Sequence, residues 1–120
     1  MGVSTGIDIV SIERFAGRAS DPVFLERLLT EEERADVLSK PHAGARLAVR
    51  FAAKEAVMKA MGTGWDKGVG WRDIEIVCAA GGRANVRLHA KAAQLAAGRR
   101  LLLSVSATDN IAAGFAILED

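Results

Sequence analysis

The sequence predicts one α+β domain, residues 1–120, with an antiparallel sheet and a long central helix. Three observations predict it. The chain has 120 residues, 50% hydrophobic and 26% charged, which is one domain's worth of chain with enough apolar material for a single core. Strand-like and helix-like segments are mixed along it without alternating strictly, which favours α+β over a doubly wound parallel sheet. Two short turn-rich links join neighbouring strand-like runs, the signature of hairpins and of antiparallel pairing.

Each element has its own warrant. "TGIDIVSI" (5–12) is rich in β-branched residues and predicts a first strand, with Asp8 as its odd member. "DPVFLERLL" (21–29) opens with an Asp cap and a Pro at the first helical position. "TEEERADVL" (30–38) sets Thr30 and Glu33 at capping-box spacing. "SKPHAGA" (39–45) predicts a loop, and the long helix runs from about 44 to 61, with Gly62 as its C-terminal cap. "GTGWDKGVG" (62–70) is a glycine-rich connection. "WRDIEIV" (71–77) and "ANVRLH" (84–89) flank "AAGG" as a hairpin. "AKAAQLAAG" (90–98) predicts a helix with a glycine stop, and "LLLSVSA" (101–107) and "IAAGFAIL" (111–118) flank "TDN" as a closing hairpin.

Composition narrows the function classes. The net charge of +1 gives no whole-chain attraction to nucleic acid or membranes, so only local clusters can recognise a charged partner. No apolar run approaches the roughly 20 residues of a membrane span, and the first residues lack the basic region of a signal peptide. The expectation is a cytoplasmic protein. Cys78 is the single cysteine; it fits a reducing compartment and reads as a small buried hydrophobe.

The informative stretch is "RFAAKEAVMKAMGTG" (50–64). At 100° per residue, Phe51 lies about −40° from Glu55, Ala48 about +20°, Lys59 about +40° and Ala52 about +60°. Glu55 and Lys59 therefore share a face with Phe51 and the alanines. Either they form an exposed i,i+4 pair of small value, or the carboxylate is buried and must be paired or hold a metal. Asp8, between Ile7 and Ile9, poses the same choice on a strand. Together the two carboxylates suit Mg²⁺, which takes oxygen ligands and completes its shell with water and substrate phosphates. Arg46, Arg50 and Lys54 form a stripe on another side of the helix. It is either a solvated face or a holder of polyphosphate. "GTG" is not a phosphate-binding loop, since it follows a helix C-terminus, where the macrodipole repels phosphate.

Together, "GIDIVSIERF" and "RFAAKEAVMKAMGTG" resemble the holo-acyl carrier protein synthases, the small bacterial branch of the 4′-phosphopantetheinyl transferases. The family pattern, G-[IV]-D-[IVL] followed by [FW]-A-x-K-E-[AS]-x-x-K-[AG] on a helix, is met by both, and the later elements follow in the family's order. The resemblance implies the 4′-phosphopantetheinyl transferase-like fold and transfer of 4′-phosphopantetheine from coenzyme A to a serine of an apo acyl carrier protein. Adenosine 3′,5′-bisphosphate is released, in support of fatty acid biosynthesis. It implies Asp8 and Glu55 as the Mg²⁺ site and Asp8, Glu55 and Lys59 as the catalytic set. Glu55, directly or through a metal-bound water, would accept the serine proton, and Lys59 would contact the pyrophosphate of coenzyme A or the departing phosphate. Arg50 and Lys54 would hold phosphates, including the 3′-phosphate, and Gly62, Thr63 and Gly64 would line the pantetheine path.

The resemblance also implies a homotrimer with sites at subunit boundaries. The small residues Ala112, Ala113, Gly114 and Ala116 are expected to admit a neighbouring chain. The carrier is expected to be acidic, with Arg14, Arg18 and Arg27 docking it if "IERFAGR" is helical; otherwise these are ordinary surface arginines. The sequence departs from the family at Ala107, where many members have a histidine, and at the Gly82–Arg83–Ala84 turn. His42 and His89 read as structural or exposed. Two rival readings stay open: a binding module that holds coenzyme A or a nucleotide without transfer, and a Mg²⁺-dependent nucleotide pyrophosphohydrolase.

Overall fold

The computed structural model describes residues 2–63, 67–79 and 81–120. Strand β1 (Val3–Ser11) opens the chain, followed by 3₁₀ turns at Ile12–Phe15 and Arg18–Ser20. Helices α1 (Pro22–Leu28), α2 (Glu31–Leu38) and α3 (Ala43–Met61) come next. After a 3₁₀ turn at Trp71–Asp73 come β2 (Ile74–Cys78), β3 (Ala84–Leu88), the short α4 (Ala90–Leu95), β4 (Arg100–Ala107) and β5 (Ile111–Glu119). Two antiparallel sheets result, one in the order β1-β5-β4 and the other a β2-β3 hairpin. This is the α+β arrangement expected, with α3 at its centre.

The caps form as their residue types dictate. Asp21 accepts the Phe24 amide at 3.2 Å. Thr30 and Glu33 close a reciprocal capping box. Gly62 ends α3 at φ +66°, a left-handed conformation that glycine adopts at little cost. One expectation shifts: α4 stops at Leu95, before Gly98. The segment after β1, left open by the sequence, forms two 3₁₀ turns.

Register decides the rest. In β1, Gly6 and Val10 are buried, whereas Val3, Ile7 and Ile9 are 64%, 56% and 60% exposed. Asp8 pairs with Gly114 on β5, so it belongs to the row facing α3. The odd member of the strand pattern is the inward one, and its apolar neighbours point outward. The sheet also lies unusually close to the helix. A Cβ on Gly6 would stand 2.0 Å from the Ala56 carbonyl oxygen, and one on Gly114 would stand 2.8 Å from the Ala52 carbonyl oxygen.

That closeness corrects one expectation. Ala112, Gly114 and Ala116 are buried on the α3 side of β5, and only Ala113 of the small-residue run points the other way. Their size admits the chain's own helix. The outward face of the sheet instead carries Val3, Ile7, Ile9, Leu102, Ile111 and Phe115, all at least 40% exposed.

Candidate active site

β1 and α3 bring the first and second motifs together. Lys59 Nζ donates to Asp8 Oδ1 at 3.2 Å and to the Ile7 carbonyl at 2.9 Å. Asp8 is only 16% exposed in its side chain, and its Oδ2 is buried with no hydrogen-bond partner among the described residues. Glu55, one turn before Lys59, is half-buried. Burial pushes its carboxyl above the ordinary range, the negative charge of Asp8 pushes it further, and Lys59 and Arg14 oppose both. Asp8, Glu55, Lys59 and Arg14 are thus one electrostatic cluster. A buried, unsatisfied carboxylate oxygen beside a second carboxylate is costly as it stands, and a hard divalent cation satisfies both. Among the described residues no three His, Cys, Asp or Glu side chains gather at one point; Asp8 and Glu55 are the described carboxylates that meet here.

An aromatic wall adjoins the cluster. Phe15 and Phe51 stand 5.1 Å apart between ring centroids, and Phe51 and Trp71 stand 5.3 Å apart. The guanidinium of Arg14 lies 5.3 Å from the Phe15 ring and 5.6 Å from Phe51, and that of Arg18 lies 4.8 Å from Phe24. Arg18 and Arg27 line a cavity of about 210 Å³ with Phe24, Phe51 and Trp71. The three arginines come together by tertiary packing around these rings and do not share one helix face.

The basic stripe of α3 is neither solvated nor near Asp8. Lys54 is fully buried. Its Nζ donates to Glu33 Oε1 at 2.7 Å, to the Leu28 carbonyl at 2.7 Å and to the Trp71 carbonyl at 3.0 Å. An ammonium so enclosed has all three hydrogens committed, which corrects the expectation that Lys54 holds a phosphate. Arg50 is 2% exposed, and its Nη2 donates to Asp36 at 2.6 Å. Arg46 and Lys40 converge on the same carboxylate at 3.2 and 2.6 Å. The hydrogen bond from Lys40, with the charge and hydrogen bonds of Arg50 and Arg46, holds Asp36 at a pKa of about 2. Three cations on one carboxylate leave excess positive charge beside a cavity of about 410 Å³ lined by Lys40, Arg46, Arg50, Cys78 and Gly82. Arg50 lies about 140° around α3 from Glu55, so a single chain does not present both to one small region.

Of the remaining candidates, Gly62 is the cap of α3, and the Thr63 amide donates to the Met58 carbonyl. Gly64 lies outside the described residues. His42 is exposed, at φ +62° just before α3, and His89 meets Glu75 at 3.0 Å. Cys78 is half-buried and not fully enclosed. Asp36 escaped the sequence reading because its partners Arg46 and Arg50 lie on another helix, which leaves no periodic signal; the i,i+4 spacing of Asp36 and Lys40 was the local signal that could have found the pair.

Residues 4–116 match the profile of the 4′-phosphopantetheinyl transferase superfamily. The holo-[acyl-carrier-protein] synthase of Koribacter versatilis is 48% identical, with all of both chains covered. Among solved structures, a holo-(acyl-carrier-protein) synthase from Bacillus anthracis in complex with CoA (3′,5′-ADP) superposes with a TM-score of 0.83 at 31% identity, covering 100% of this chain and 99% of that one. The Chronobacterium ammoniagenes ACPS-CoA complex gives 0.83 at 28% identity, covering 99% and 98%.

Proposed function

This chain belongs to the holo-[acyl-carrier-protein] synthases of the 4′-phosphopantetheinyl transferase superfamily, and we propose that the Asp8–Glu55–Lys59 cluster is where it works. It transfers the 4′-phosphopantetheine group of coenzyme A to a serine of an apo acyl carrier protein. The serine oxygen forms a bond to the β-phosphorus, the bond from that phosphorus to the bridging oxygen breaks, and adenosine 3′,5′-bisphosphate leaves. The observation that carries the site is Asp8 Oδ2, buried beside Glu55 with no hydrogen-bond partner among the described residues.

Asp8 and Glu55 would hold Mg²⁺, which when bound neutralises charge on the pyrophosphate. Lys59 exchanges its contact with Asp8 for the phosphate that departs, stabilising the leaving group. Glu55, directly or through a water, accepts the proton of the serine hydroxyl. Gly62 and Thr63, at the C-terminal end of α3, line the path of the pantetheine arm. Arg14, Arg18 and Arg27 dock the carrier, offering positive charge to an acidic partner around an aromatic cavity.

Arg50 holds phosphate too, at the cationic cavity on the far side of α3. Coenzyme A bound at Asp8 and Glu55 of one copy meets Arg50 of another, which fits a homotrimer with sites at subunit boundaries. The outward apolar face of the β1-β5-β4 sheet is the surface that such an assembly would cover. No described helix is long and apolar enough to cross a membrane, and we place the protein in the cytoplasm, acting as one domain in support of fatty acid synthesis.

The test is to incubate the protein with coenzyme A, Mg²⁺ and an apo carrier and to weigh the carrier by mass spectrometry. A gain of one phosphopantetheinyl group is expected. Release of adenosine 3′,5′-bisphosphate with an unchanged carrier would make the protein a hydrolase, and neither change would make it a binding module.

A further inference from the structure

Lys54 precedes Glu55 in the chain and lies about 100° away around α3. Its three acceptors come from three separate segments: the last turn of α1 through the Leu28 carbonyl, the first turn of α2 through Glu33, and the turn carrying Trp71 through its carbonyl. Two of these segments supply Phe24, Arg27, Leu28 and Trp71 to the 210 Å³ cavity, whose remaining aromatic, Phe51, stands one turn before Lys54 on α3 itself. One ammonium therefore ties both outer walls of the cavity to the helix that carries Glu55 and Lys59. Glu33 is anchored independently, accepting from the Thr30 and Ile76 amides at 3.0 and 3.1 Å, so the pin has a fixed seat. Stability alone does not account for a charge at this place, because apolar packing of similar volume often stabilises as much as a buried ion pair. What an ammonium adds is direction: three hydrogen bonds at set angles fix three backbones relative to one another.

We propose that Lys54 is a positioning residue for carrier docking, holding the α1 and Trp71 walls of the aromatic cavity at the spacing the carrier requires. The proposal rests on reading Arg14, Arg18 and Arg27 as the carrier surface. Lys54 touches neither substrate, so its loss acts on the Michaelis constant for the carrier and leaves coenzyme A alone.

The test is steady-state kinetics on the Lys54→Met/Glu33→Gln chain, which removes both charges of the Lys54–Glu33 pair while nearly keeping side-chain volume and leaves Arg50 its Asp36 partner, with each substrate varied in turn. The Michaelis constant for the carrier should rise about tenfold, while that for coenzyme A and the turnover at saturating carrier stay within about twofold. An unchanged carrier constant in the folded double variant, or an equal rise for both substrates, overturns the proposal. Should circular dichroism show that this chain does not fold, Glu33→Gln alone keeps the two carbonyl contacts and gives the same readout. There the carrier constant should rise about threefold with no change for coenzyme A, and equal effects on both again overturn it. A parallel Arg14→Ala/Arg18→Ala/Arg27→Ala chain separates the two levels. If it leaves the carrier constant unchanged, the docking surface is misassigned and the Lys54 role falls with it. If it raises the constant while the Lys54 variants do not, only the Lys54 role falls.

Discussion

Gly6→Ala adds one methyl group, and the structure says where it goes: 2.0 Å from the Ala56 carbonyl oxygen, 2.6 Å from the Ala60 nitrogen and 2.8 Å from Lys59 Cβ. A carbon and a carbonyl oxygen settle at about 3.3 Å or more, so β1 and α3 must part by more than about 1 Å at this point. Two of the three atoms are backbone of a 19-residue helix, and no rotamer change relieves them. Overpacking a core costs typically about 1–3 kcal/mol, and with rigid neighbours the upper end applies, equivalent to a fall in Tm of roughly 10 °C for a domain of this size. The second consequence is chemical. Asp8 is two residues along the same strand and inward-facing like Gly6, whereas Glu55 and Lys59 ride on the helix. Opening the gap separates the cluster, and a displacement of about 1 Å costs about a hundredfold in rate. Phosphopantetheinylation followed by mass spectrometry, with a thermal melt of the same sample, reads both effects. Gly17→Ala is the control, since a Cβ there meets nothing within 4 Å. A Gly6→Ala protein with wild-type turnover and melting would refute the reasoning, because it would mean that the strand and helix are not held at this spacing.

Asp8→Asn and Glu55→Gln should each lower transfer by roughly two to four decades at saturating Mg²⁺ without lowering Tm, as expected of groups that hold the metal; near-normal turnover in either removes that residue from the site. Asp36 has a folded pKa of about 2 against an ordinary 3.8, so its stabilisation is complete above pH 3.8 and is lost as pH falls through about 2. Allowing for its 27% exposure, Asp36→Asn should cost about 1–2 kcal/mol at pH 7 and flatten the acid limb of a urea-unfolding series between about pH 4 and pH 2. Ile7→Lys with Phe115→Lys, a cross-strand pair on the outward sheet face, should yield a folded monomer in sedimentation if that face is the trimer contact; an intact trimer would move the contact elsewhere.

Local signals carried most of the fold. The Asp21 cap, the Thr30–Glu33 box and the Gly62 stop each act within a few residues, and each set a helix end where the sequence placed it. The approach of Asp8 to Glu55 was legible because two carboxylates stood where apolar residues belong, whereas the Lys59 contact with Asp8 came only from the packing of β1 on α3. The fate of Arg50 and Lys54 was not legible. A cation every fourth residue looks the same whether it faces water or a carboxylate on another helix, and Asp36 and Glu33 come to it only through packing. The small residues of β5 misled for a related reason. Size says that something comes close, but only register says whether it is the chain's own helix or another chain.

Alternation along β1 has a consequence for how this segment can change over generations. Gly6, Asp8 and Val10 serve the helix side, and Ile7 and Ile9 the outer side. A point substitution therefore disturbs one side and spares the other. A one-residue slip of β1 against β5 exchanges the two sets at once, putting an isoleucine where Asp8 stands and the carboxylate on the apolar exterior. A substitution in residues 3–11 is thus felt on one side of the sheet at a time, whereas a change of register is felt on both.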